Sequence, residues 1–160
     1  MKFLKEIFPY IIIFLVVVII RTFIATPVVV SGSSMDHTLS DGQILLLKKY
    51  DKQYERFDII VFDYQGEKLV KRIIGLPGET VEYLNGKLYI NDIEVEDEFS
   101  SITNNFNLGY LDLDIIPEGY YFVLGDNRPK SSDSRLIGLI NQEDIEGSTN
   151  FSIWPFKKIK

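Results

Sequence analysis

Cysteine is absent from the 160 residues. Disulfides, thiol catalysis and cysteine-ligated metals are thereby excluded. Histidine occurs once, as His37, so a histidine-rich metal site is out of reach. There is no internal repeat, no low-complexity tract and no glycine-rich loop opening a helix, which leaves no sign of a solenoid or a phosphate cradle. No metal or organic cofactor is implied. Positive charge is scarce too. Residues 1–26 hold Lys2, Lys5 and Arg21 against Glu6, while the whole chain has a net charge of −6. The remainder therefore carries −8. An acidic body without a basic patch argues against nucleic acid as a partner.

What the chain has in excess is an apolar run at its start. Ile7 to Ile20 contains no charge. Extended through Arg21 to Thr26 it gives 20 residues, which as a helix rise about 30 Å, the thickness of a hydrocarbon core. Arg21 would sit near one interface, where its long side chain reaches water. Pro9 is expected in about the first helical turn, where proline is tolerated. Lys2 and Lys5 favour a cytoplasmic N-terminus, which places everything after Pro27 outside. A cleaved secretory leader would look much the same. Phe23 and Ala25 make a poor small-x-small cleavage site, which favours a retained single-pass anchor over 1–26. A buried helix of a soluble protein is a third reading.

From Pro27 on, strands and turns dominate. Residues 43–49, 57–63 and 68–75 read as strands, with a turn at Gly66-Glu67 making the last two a hairpin. Asn85-Gly86 joins 81–84 to 87–90, the strongest short hairpin signal in the chain. A further strand covers 93–95 and another 120–124. Residues 96–114 mix acids, Ser, Thr and Asn, and are expected to form a surface loop or small insertion. The polar cluster 125–135 ends the 120–124 strand, and Asp126, Asp133, Arg128 and Arg135 are expected to pair with one another or to form a solvated loop.

The chemistry centres on a small-residue turn, Ser31-Gly32-Ser33-Ser34, that follows the β-branched run Val28-Val29-Val30. Such a turn holds a hydroxyl in the open, but serine is a poor nucleophile until a neighbour takes its proton. His37, in the same turn, is badly placed for that and reads as a partly exposed turn residue. Lys71 lies in a strand between Leu69, Val70, Ile73 and Ile74. Alternate strand residues share a face, so Leu69, Lys71 and Ile73 would point together into apolar surroundings. Burial there lowers a lysine pKa and frees the amine as a base. The competing reading is an edge-strand lysine reaching solvent.

Four segments, in this order, resemble the bacterial type I signal peptidases in their shorter Gram-positive form. They are Gly32-Ser33-Ser34-Met35-Asp36-His37-Thr38-Leu39, then Phe57 to Phe62, then Lys71-Arg72-Ile73-Ile74-Gly75-Leu76-Pro77-Gly78-Glu79, then Gly125-Asp126-Asn127-Arg128 with Ser131 and Asp133-Ser134-Arg135. The resemblance covers nearly the whole chain. It implies a mostly β, signal-peptidase/LexA-like fold with one N-terminal transmembrane helix. The division it implies is an anchor over 1–26 and an extracytoplasmic catalytic domain over 27–160, with a small insertion around 80–115. It also implies a membrane-bound serine endopeptidase that removes signal peptides from exported preproteins through an acyl-enzyme. Ser34 matches the nucleophile and Lys71 the base. Ser131 matches a hydroxyl that orients the lysine, and Asp126, Asp133 and Arg135 match structural groups beside the site. Val28, Val30, Met35, Leu39 and Val70 would line shallow pockets for small substrate side chains, with substrate added as a strand beside them. The partners implied are signal peptides and the lipid bilayer, with indirect association with the export machinery.

Two positions depart from the family pattern. His37 stands where proline is usual, and Phe57 stands between Arg56 and Asp58 where glycine is usual. Gly32 lacks the hydroxyl that some members carry for the oxyanion, leaving backbone N–H groups, chiefly that of Ser34. Self-cleaving repressor-type proteases use the same dyad, but they need a DNA-binding domain that is absent here. A non-catalytic membrane-anchored β module, an inactive homologue binding peptides or partner proteins, is the alternative.

Overall fold

The computed structural model describes residues 2–159, with side chains from Glu6 onward. Met1 and Lys160, the outer ends of the two expected segments, and the Lys2 and Lys5 side chains lie outside the described residues. The chain opens with α1 (Lys2–Ile19), widens into a π-helical turn (Ile20–Ile24) and becomes β1 (Ala25–Val29) without a linker. The apolar helix therefore ends at Ile24, two residues short of the expected Thr26, because Ala25 and Thr26 are claimed by the β ladder. It also begins earlier than expected, so Pro9 falls inside the helix rather than in its first turn. The helix nevertheless runs on through Pro9 to Ile19.

Next come β2 (Ile44–Lys48), β3 (Ile59–Tyr64) and β4 (Glu67–Gly75). They are followed by β5 (Val81–Leu84), β6 (Lys87–Ile90), β7 (Ile93–Val95), β8 (Phe106–Asn107) and β9 (Tyr120–Leu124). The chain closes with a short helix α2 (Ser134–Ile137), β10 (Ile140–Asn141), β11 (Ile145–Thr149), β12 (Phe151–Trp154) and β13 (Lys157–Lys158). Two antiparallel sheets result. The larger runs β10-β9-β4-β3-β11-β2-β12-β13, with β1 on the other side of β2; the smaller runs β7-β6-β5-β8.

The β3–β4 hairpin turns on Gln65-Gly66, one residue before the expected pair, since both carry positive φ and fit the turn that matches strand twist. Asn85-Gly86 does the same between β5 and β6. Residues 96–114 are not a plain surface loop, since β8 within them pairs with β5 in the smaller sheet. Asp97, Phe99, Thr103, Phe106 and Leu108 are buried there, and Phe106 and Leu108 pack with Tyr83, Ile74 and Phe122 in the core that joins the two sheets. A second cluster gathers Val30, Met35, Leu39, Ile59, Val61 and Val70; a third gathers Ile60, Phe62, Ile73, Tyr121 and Val123.

Candidate active site

The Ser34 turn is built by local hydrogen bonds. The Val30 N–H donates to the Gln43 carbonyl at 2.8 Å, carrying the β1–β2 pairing one step past β1. Gly32 then takes φ +88°, a left-handed conformation that glycine adopts without side-chain strain. Its N–H donates to the Asp41 carboxylate at 2.8 Å. The Leu39 N–H closes the turn on the Met35 carbonyl at 2.8 Å. From the far side, the Asn127 N–H donates to the Ser34 carbonyl at 3.0 Å, and the Asn127 amide donates to the Ser33 carbonyl at 2.9 Å. The Ser34 N–H itself donates to no acceptor among the described residues.

Lys71 lies in β4, which is flanked by β3 and β9, directly across from Ile60. The edge-strand alternative is thereby overturned. Alternation puts Lys71 on the face of Ile60, Leu69 and Ile73, and its side chain is only 2% exposed. Its Nζ is 2.7 Å from Ser34 Oγ. It has no ion pair among the described residues. Desolvation pushes its pKa from 10.5 down to about 8, against a weaker upward pull from Asp133 and Asp126. A lysine in that range is neutral often enough near physiological pH to accept a proton. His37 is exposed and instead stacks on Phe99, ring centroids 6.2 Å apart.

The 125–135 cluster pairs differently from the expectation. Asp133 and Arg135 do pair, through two contacts of 2.8 Å. Asp126 instead receives Arg72 from β4, at 2.8 and 2.7 Å. Arg128 reaches Asp97 at 2.7 and 3.0 Å, with Tyr83 and Thr103 as further partners. Both are buried, and a buried guanidinium needs a carboxylate to match its fork. Gly125 lies where these elements converge: a Cβ there would overlap both Ser131 Oγ and the Ser34 carbonyl. Ser131 is buried beside it, but its hydroxyl makes no hydrogen bond to any described residue, including Lys71.

Val30, Met35, Leu39 and Val70 come together in one cluster, with Val28 packed against it. All but Val28 are nearly fully buried. The outer edge of β1 pairs with no described strand. The two departures from the family pattern carry unusual backbones: His37 has φ +89° and Phe57 has φ +71°. Glycine suits the latter, and a proline ring, locked near −65°, does not fit the former. Phe57 consequently precedes β3 rather than opening it. Arg72, Asp97, Asn127 and Gly125 were missed as site-building residues. The one local signal was Arg72, a second cation inside an apolar strand.

The signal peptidase family, peptidase S26, matches residues 2–154. Signal peptidase IB of Staphylococcus aureus strain Mu50 is 36% identical, covering 92% of this chain and 87% of that protein. Signal peptidase I of Streptococcus pneumoniae serotype 4 is 35% identical over 99% of this chain and 96% of its own length. The crystal structure of a signal peptidase I from Enterococcus faecalis V583 aligns with a TM-score of 0.57 and 42% identity, over 60% of this chain and 96% of that one.

Proposed function

We propose that this chain, which belongs to the signal peptidase family, peptidase S26, removes signal peptides from exported preproteins with Ser34 as nucleophile and Lys71 as base. The observation that carries the assignment is a buried amine without an ion pair, 2.7 Å from a serine hydroxyl. Neutral Lys71 takes the Ser34 proton as Oγ attacks the scissile carbonyl. The unpaired Ser34 N–H is a donor for the oxyanion. The lysine then passes its proton to the leaving amine, and the acyl-enzyme forms. Lys71 next activates water, which cleaves the ester and returns Ser34. Asn127 fixes the carbonyls on either side of the Ser34 N–H, and Asp133 and Arg135 brace the loop behind it. The free β1 edge receives the substrate as an added strand over the Val28–Val30 and Val70 floor.

Membrane anchoring is part of the same reading. Glu6–Ile24 is 19 residues of apolar helix whose side chains are unburied, about the length a bilayer core requires. Trp154 and Phe156 are exposed beside β2, next to exposed Lys157 and Lys158, a set suited to a lipid interface. We assign the N-terminus to the cytoplasm and the β domain to the outer face, where preproteins emerge from the export machinery.

The test uses the full chain in detergent with a preprotein substrate. S34A and K71M are each expected to lower kcat/KM by at least about a thousandfold, S34A without changing the melting temperature much. Full processing by either variant excludes the dyad. No processing by the wild type would favour the non-catalytic module.

A further inference from the structure

Of the two departures from the family pattern, Phe57 lines a cavity and His37 backs its wall. Its volume is about 420 Å³, and it is lined by Phe57, Arg72, Glu96, Asp97, Glu98 and Phe99. His37 stacks on the Phe99 ring that forms part of its wall. Two of the lining charges are already matched, Arg72 by Asp126 and Asp97 by Arg128. Glu96 and Glu98 are exposed and have no ion pair among the described residues. Two uncompensated carboxylates beside two phenyl rings recognise a cation, by charge and by the ring quadrupole. Phe99 already accepts one guanidinium in this way, from Arg128 at 5.6 Å.

The cavity lies against the turn that carries Ser34. Arg72 follows Lys71 in β4, and its guanidinium donates to the Phe57 carbonyl at 3.0 Å and to Thr38 Oγ1, in the Ser34 turn, at 3.4 Å. None of its walls comes from β1, whose edge is assigned to the residues before the scissile bond. The chain beyond that bond has to leave on another side of Ser34. We propose that this cavity is the subsite for a lysine or arginine side chain within the first few residues after the cleavage point, so that the enzyme favours preproteins with a basic start to the mature segment. This rests on the peptidase assignment above.

The experiment uses the full chain in detergent and peptides identical up to the scissile bond, with Lys, Ala or Glu at the three positions after it. Wild type is expected to cleave the Lys series with a kcat/KM about tenfold above the Glu series, most of it in KM, the scale of two exposed ion pairs and a ring contact. In E96Q/E98Q the three series are expected to converge. Equal cleavage of all series by wild type, or a preference that survives in E96Q/E98Q, overturns the subsite while leaving the peptidase assignment standing. No cleavage of any series overturns the peptidase assignment and the subsite with it.

Discussion

Lys71 and Arg128 are equally buried, each 2% exposed, yet their surroundings are opposite. Arg128 is held by the Asp97 carboxylate at 2.7 and 3.0 Å, by Thr103 at 2.6 Å, by Tyr83 at 3.1 Å and by the Gly125 carbonyl at 3.1 Å. Lys71 has one hydroxyl. The chemistry of the two groups explains the difference. A guanidinium does not give up its proton in a protein, so burial demands full compensation. An amine escapes the same penalty by going neutral. The Arg128 centre also ties the 125–128 turn to the segment after β7, and that turn carries Gly125 and Asn127 against Ser34. The compensated cation thus holds the uncompensated one in place.

The sharpest way to break this contrast is R128M. It leaves Asp97 buried without its cation and is expected to destabilise the fold by about 3–5 kcal/mol, read by urea denaturation of the full chain in detergent. D97N/R128M, with both charges gone, is expected to be milder. A stable R128M would mean that the Arg128 pairing is decorative.

K71M is expected to act in the opposite direction. The folded pKa of Lys71 is about 8 against an ordinary 10.5. Between those values the unfolded chain binds the extra proton, so wild-type stability rises with pH there. Below pH 8 the amine penalises the fold by up to about 3 kcal/mol. K71M should therefore be more stable than wild type at pH 7 by up to that amount, and the gap should close between pH 8 and 10.5. In parallel, wild-type kcat/KM should climb with pH up to about 8 and then level off, since only the neutral amine is a base. A profile already flat at pH 6 would show that Lys71 is not the group titrating.

How much of this was written locally in the sequence differs from one residue to the next. Lys71 was visible because a lysine amid Leu69, Val70, Ile73 and Ile74 violates the strand pattern. Its meeting with Ser34, 37 residues away, came from the family resemblance and not from any local rule. Asp133 and Arg135 pair as expected, but the partners of Asp126 and Arg128 were misassigned, because proximity in sequence is a poor guide to which carboxylate a buried arginine meets. Arg72 and Asp126 are 54 residues apart, and Arg128 and Asp97 are 31 apart. Residues 96–114 left a surface loop open as a reading because Phe99, Phe106 and Leu108 follow neither the strand nor the helix period; each is a single side chain sunk into the core. The short C-terminal strands β10 to β13 carry too few residues for a period to show. The apolar helix ended earlier than hydropathy suggested because β1 pairs with β2 from Ala25 onward, and hydropathy is blind to a ladder.

A smaller effect tests the point where the two centres touch. In G125A the new methyl collides with Ser131 Oγ and the Ser34 carbonyl, neither of which is a flexible chain end. Overpacking of this kind is expected to reduce stability by about 1–3 kcal/mol, and to reduce kcat further by shifting Ser34 relative to Lys71. Retention of both would mean that the turn has slack, and that the 2.7 Å contact is not held from behind by the 125–128 turn.

The smallest effect on stability, and the finest probe of the contrast, is S131A. Its hydroxyl is buried without a partner, which is unfavourable for a polar group. Deleting it keeps the Cβ and the packing at Gly125, so stability should hold or rise slightly. Its worth would then lie in turnover. As Lys71 picks up the Ser34 proton it becomes a buried ammonium with no carboxylate of its own, and a rotatable hydroxyl nearby is the cheapest acceptor for it. S131A is accordingly expected to lower kcat by about tenfold, the scale of one hydrogen bond to a charged group, with little change in KM. Because the lost acceptor stabilised the charged amine, the midpoint of the pH profile should also move down. If kcat and the midpoint both stay put, Ser131 only fills space at Gly125, and the amine completes its cycle with no more than Ser34 and the distant pull of Asp133 and Asp126.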